Sequence, residues 1–168
     1  FATAVEEIGV ARWLEVQGSD KMREDYRVYR QRKQDFIGLL DIYRRQLEDN
    51  YARAVSDDEK RARKAQLTEA LRQDYEAMKA ERWGGYPGYD RWFDKPVTNA
   101  HFVLVATYHD LVPAFRGLQA ESGGFAPFYR EVRQLARLQK AERRMRLAHY
   151  QPQPATPAVI PAATAASQ

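Results

Sequence analysis

Eight positions early in the chain decide most of what it can fold into. Met22, Tyr26, Tyr29, Lys33, Phe36, Leu40, Tyr43 and Leu47 are spaced alternately by four and three residues. That alternation is the period of a helix packed along its length against another helix. Only Lys33 breaks the apolar run, and its stem can lie along the seam while its ammonium reaches water. Ser19 or Asp20 supplies a cap. The spacing therefore predicts a helix over about 21–54, roughly 50 Å long at 1.5 Å per residue.

A helix of that length needs a partner, and the chain provides one at once. Ser56-Asp57-Asp58-Glu59 pairs a hydroxyl cap with an acid three residues on, the pattern of a capping box. The two aspartates sit where the positive end of the helix dipole favours anions. A third helix is predicted from near Asp57 to about Arg82, with Leu67, Leu71, Tyr75 and Met78 as its stripe and Asp74 facing out. The short turn makes the two helices an antiparallel hairpin, about residues 20–82. Its tip, 51–64, is rich in charge and is expected to project into solvent.

At Trp83 the character changes. Residues 83–93, WGGYPGYDRWF, crowd Trp83, Tyr86, Tyr89, Trp92 and Phe93 among turn-forming glycines and a proline. Five rings cannot all face water without forming a large adhesive patch. The loop must fold onto the core or line a cleft. Thr98 or Asn99 then caps a short apolar helix over 100–108, read as the central buried one. A fifth helix is predicted from Pro113 to about Glu121 and a sixth from about Phe125 to Ala148. The sixth carries Arg130, Arg133, Arg137, Lys140, Arg143, Arg144 and Arg146 on its outer face. Glu131 and Glu142 are interspersed with them, so a solvated face is the plain reading. From residue 149 the sequence is rich in proline and alanine and is expected to be a disordered tail.

The first fourteen residues, FATAVEEIGVARWL, place Phe1, Val5, Ile8 and Ala11 or Arg12 at helical spacing with no cap before them. A stripe that starts at residue 1 leads to the expectation that a helix began upstream. Gly18, which tolerates the left-handed conformation, is the expected stop. Fold class follows: all-α, with helices one, four, five and six as the core of a domain over 1–148 and the hairpin protruding from it.

Composition narrows function mainly by exclusion. The net charge of +4 on 30% charged residues permits an anionic partner without demanding one. The chain has no cysteine, hence no disulfide framework and no thiolate metal site. No apolar run is long enough to cross a membrane. His101 and His109 are eight residues apart, not the four that set two imidazoles on one helical turn, so a metal site within this chain is not expected. Tyr108-His109-Asp110 is the most chemical-looking triplet: a histidine oriented by an acid can donate to a substrate oxygen. The bland reading, helix-end capping, is the commoner one. Of the acids Glu6 and Glu7, Glu7 reads as ordinary surface. Glu6 follows the small run Ala2-Thr3-Ala4, which would let another helix or a metal centre come close.

Several segments, in order, resemble a family of bacterial zinc aminopeptidases. They are Phe1 to Gly9, the long charged hairpin, Tyr86-Pro87-Gly88-Tyr89-Asp90-Arg91-Trp92-Phe93, Asn99-Ala100, Thr107-Tyr108 with Leu111-Val112-Pro113-Ala114-Phe115, and Phe128-Tyr129. The resemblance covers about Phe1 to Leu138 and is to the C-terminal half of that family. It implies an upstream HExxH helix and an Asn-Glu-Ser triplet whose Glu is the third zinc ligand, none of which this chain holds. It further implies hydrolysis of N-terminal peptide bonds by a metal-activated water in the full-length parent, with the chain as given inactive and free of catalytic zinc. Thr3 and Glu6 would be the outer partners of the upstream metal site, Tyr108 and His109 the catalytic pair, and Tyr86, Tyr89, Trp92 and Asn99 the wall of the substrate cleft. The partner implied is a peptide, with no specific nucleic acid. The compartment implied is the cell envelope, on its periplasmic side. The alternative from the residues alone is a non-catalytic helical module binding a partner protein or an anionic polymer.

Overall fold

The computed structural model describes residues 1–151; the expected tail lies, but for its first three residues, outside the described residues. Every regular element among them is helical. In order these are α1 (Ala2–Gln17), α2 (Asp20–Ala52), α3 (Asp57–Trp83), a 3-10 turn (Asp90–Phe93), α4 (Asn99–His109), α5 (Val112–Glu121), α6 (Phe125–Arg137) and α7 (Lys140–Ala148). They fall into two compact units, Phe1–Val112 and Pro113 onward.

The caps are where the residues place them. Ser19 accepts from the Met22 amide, 3.3 Å away, and starts α2. Ser56 and Glu59 close a reciprocal capping box that starts α3. Gly84, left-handed at φ 59°, ends α3 where a Cβ would be strained. Gly18 does end α1, but in an extended conformation. Glycine is needed there for space: a Cβ would sit 2.6 Å from the Leu14 carbonyl oxygen.

The helices of the hairpin run antiparallel, as three ties at successive depths show. Asp35, its side chain only 8% exposed, accepts from the Trp83 indole N–H at 3.0 Å and from Arg82. Tyr43 donates to Asp74 at 2.7 Å, and buried Asn50 donates to the Lys60 carbonyl near the tip. Between these ties runs the core itself: Phe36, Leu40, Tyr43 and Leu47 from α2, Leu67, Leu71, Tyr75 and Trp83 from α3, then Phe93 and Phe102. Phe36 is the hub. Tyr89 stacks on it at 4.1 Å between centroids, while Tyr75, Trp92 and Phe93 meet it edge-on.

Three expectations are corrected here. The principal core is not made by helices one, four, five and six; it lies along the hairpin, because the apolar seam of α2 finds its match in the stripe of α3. The fourth helix is not buried all round: α4 turns Phe102 inward and leaves Val103, Leu104 and Tyr108 exposed. The expected sixth helix is two, α6 and α7, broken at Leu138 and Gln139, whose backbones are extended. No proline or glycine marks that break. Arg143 donates to the Leu138 carbonyl and so caps an end the sequence does not announce.

In the second unit Ala114, Phe115, Leu118, Phe128, Leu135 and Leu147 are buried. Gly117 lets α5 lie against the chain after α7, for a Cβ there would collide with the Tyr150 carbonyl oxygen.

Candidate functional site

α1 faces α2 with Ala4, Glu7, Ala11 and Leu14, a stripe rotated by about one residue from the expected one. The physical reason is size and charge together. Ala4 is fully buried and lets the two backbones approach, and α2 presents two cations to the acid between the alanines. Glu7 Oε1 accepts from Lys33 Nζ at 3.2 Å, and Glu7 Oε2 lies 3.6 Å from Arg30 Nη2. Glu7 is 14% exposed, Lys33 20% and Arg30 22%, so the cluster is largely withdrawn from water. The Tyr26 hydroxyl donates to the Glu7 main-chain carbonyl and fixes the turn that carries it.

The end of α4 completes the cluster. Phe102, Val105 and His109 share one face, and Phe102 anchors it in the core. His109 is half-buried and its pKa is lowered from 6.5, first by burial and then by the positive charge of Lys33. Glu7 and Asp110 pull the other way and do not win. The dipole at the C-terminal end of α4 also favours a cation, yet burial and Lys33 outweigh it. The result is an imidazole neutral at pH 7, able to donate from one nitrogen and accept at the other. Asp110 is raised from the ordinary carboxylate value by partial desolvation, with Arg44 opposing.

Beside this cluster lies an open groove of about 320 Å³ between α1 and α2, floored by Ala11 and Leu14 and walled by Tyr26, Arg23, Arg27 and Arg30. Its guanidinium groups are held in pairs, Arg23 with Asp20, Arg27 with Glu24 and Arg30 with Glu7.

The expected site residues are dispersed. Glu6 is exposed on α1, and its neighbour Glu7 is the acid that enters the cluster. Thr3 is half-buried one turn before Glu7. Tyr108 does not accompany His109: it is 62% exposed on the outer face of α4, one helical step away from the ring it was paired with. Tyr89 and Trp92 pack on Phe36 and belong to the core. Tyr86 is 39% exposed beneath the Arg32 guanidinium, 4.1 Å from its ring centre. Asn99 accepts from the Tyr51 hydroxyl at 3.1 Å and ties the hairpin tip to the start of α4. None of Tyr86, Tyr89, Trp92 and Asn99 lines the groove. His101 turns back to accept from the Thr98 amide, so it serves as a cap.

Arg30, Lys33 and Glu7 are the residues that sequence reasoning missed or discounted. A signal was present: Lys33 is the one charge in an otherwise apolar seam, and such a charge calls for a partner when buried.

The residues do not fit a zinc ion. Among the described residues no group of three or more His, Cys, Asp or Glu is placed to hold one. Residues 152–168 contain none of these types. The one withdrawn carboxylate of the cluster is already neutralised by two cations, which would repel a third.

A family model described as "Putative aminopeptidase" matches residues 1–147. No curated protein and no solved structure matches the chain.

Proposed function

Since the chain belongs to the family described as "Putative aminopeptidase", we propose that it forms the part of a zinc-dependent aminopeptidase that contains none of the metal ligands. The match over 1–147 supports a peptidase-related function, and the zinc dependence is what the resemblance implies. The zinc that the resemblance implies is held by residues outside these 168, and residues 1–168 alone neither bind it tightly nor hydrolyse peptides. The compartment that goes with the reading is the cell envelope.

What this chain contributes is His109. Its ring is neutral, carried by the fold of α4 and set beside the Glu7, Lys33 and Arg30 cluster, with Asp110 next to it in the chain. A neutral imidazole suits a substrate carbonyl oxygen on which negative charge develops, where a placed donor stabilises the transition state more than the ground state. Arg30 and Lys33 engage the Glu7 carboxylate and so keep it from accepting the imidazole N–H. Nothing in this role needs Tyr108, whose side chain faces solvent.

Release of chromophore from an aminoacyl p-nitroanilide tests the reading. The longest encoded polypeptide containing these residues should hydrolyse it, a chelator should stop it, and residues 1–168 with added zinc should not. Replacing His109 by Gln should lower kcat by roughly 10²-fold or more with little change in KM. Turnover by residues 1–168 alone would overturn the reading.

A further inference from the structure

The chain's positive charge is not spread evenly. Residues 1–112 hold nineteen Lys and Arg against twenty Asp and Glu, whereas the second unit holds eight against three. The second unit therefore carries +5 and residues 1–112 carry −1, which together give the chain's net +4. The two units also treat their cations differently. The ion pairs along α2 and α3 are numerous, but Arg130, Arg133, Arg137, Lys140, Arg144 and Arg146 make none among the described residues. All six are exposed. Arg137 and Arg146 lie in the last turns of α6 and α7, where the dipole favours them. The other four have no such structural reason.

The solvent side of α7 adds a second observation. Ala141, Met145 and Ala148 are exposed at i, i+4 and i+7, so they form one apolar strip, with Met145 69% exposed. Lys140 and Arg144 flank it on one side; on the other the exposed Glu142 comes first and Arg146 lies beyond it. Leu147, facing the opposite way, is fully buried and anchors the helix. A shallow apolar strip in a surface where exposed cations outnumber acids matches the layering of a lipid surface, acyl carbon below and phosphate above. It does not match single-stranded nucleic acid, which needs exposed rings to stack its bases. The rings of the second unit are turned elsewhere: Phe125 and Tyr129 stack on each other, with centroids 5.8 Å apart.

We infer that the α6–α7 surface docks on an anionic lipid bilayer, through the phosphates of its headgroups, with Met145 entering the interface. This site is independent of the peptidase reading and lies wholly within the second unit.

Co-sedimentation of the full chain with vesicles tests it. Vesicles of phosphatidylcholine with phosphatidylglycerol should retain the chain at low salt and release it at high salt, and pure phosphatidylcholine should not retain it. Joint replacement of Arg133, Arg137 and Arg144 by Gln should weaken binding roughly 100-fold, and Met145→Gln should weaken it several-fold further. The matched change of Arg45, Arg53 and Arg63 to Gln on the first unit should leave binding unaltered. Circular dichroism on each variant separates loss of binding from loss of helices; these are exposed positions, and single replacements of Arg133, Arg137 and Arg144 serve if the triple variant unfolds. Equal retention by neutral vesicles, or indifference to the α6–α7 replacements in a folded variant, overturns the proposal. So does tighter binding to duplex DNA than to anionic vesicles at equal phosphate, unaffected by Met145→Gln.

Discussion

The Glu7 carboxylate meets the Lys33 ammonium at 3.2 Å across 26 residues of chain, and this contact holds α1 on α2 at the point where α4 ends. It brings together an acid that looks like ordinary surface and a lysine that looks like a defect in an apolar seam. Each explains the other.

Replacing Glu7 by Gln leaves Lys33 and Arg30 largely withdrawn from water without their counter-charge. The expected cost is about 1–2 kcal/mol of stability, against less than about 0.5 kcal/mol for Glu6→Gln. Urea unfolding of the two variants measures the difference. Equal effects would contradict the assignment of the two acids.

His109 titrates below its ordinary value, so the unfolded chain takes up a proton before the folded one does. Its contribution to stability is complete above the unfolded value near 6.5 and is lost progressively as pH falls from there through the lowered folded value. Lys33→Gln removes a charge that lowers this pKa and should raise it; Glu7→Gln removes one that raises it and should lower it. Imidazole proton shifts followed by NMR against pH read both. Shifts in the opposite directions would remove His109 from the cluster.

Phe36→Ala empties the hub on which Tyr89, Tyr75, Trp92 and Phe93 pack, at an expected cost of about 3–5 kcal/mol. Tyr89→Ala and Trp92→Ala should each cost about 1–3 kcal/mol. Thermal melts distinguish these core roles from a substrate cleft: a cleft residue would change KM and leave the melting temperature nearly untouched.

Two glycines, one within α1 and one at its end, should respond with opposite signs. Gly9 is exposed within α1 and a Cβ there meets nothing within 4 Å, so Gly9→Ala should stabilise by about 0.5–1 kcal/mol. At Gly18 the same change drives a Cβ against the Leu14 backbone and should destabilise by about 1 kcal/mol or more. Denaturant midpoints of the two single variants decide it.

What the residues disclose here follows from how local the cause is. Capping at Ser19 and Ser56 is written within four residues and is read correctly. The α3 stripe and the second half of the α2 seam, from Phe36 to Leu47, are likewise legible, because one face is buried along its whole length. The first half of the seam misleads: Met22 and Tyr29 are exposed, since α1 covers that stretch with alanines and needs a cation opposite Glu7. The α4 sequence is apolar on every side and so gives no direction; only Phe102 seated in the core sets which face turns inward. That choice separates Tyr108 from His109, adjacent in sequence and turned different ways in space. Arg30 and Lys33 join the site through a contact 23 and 26 residues from Glu7, a separation at which no local pattern operates.

The zinc content of residues 1–168 after equilibration with zinc and dialysis, by elemental analysis, tests the central claim most directly. Far less than one zinc per chain is expected, with no change on Glu7→Gln or His109→Gln. One zinc retained per chain, and lost on replacing His109, would contradict it.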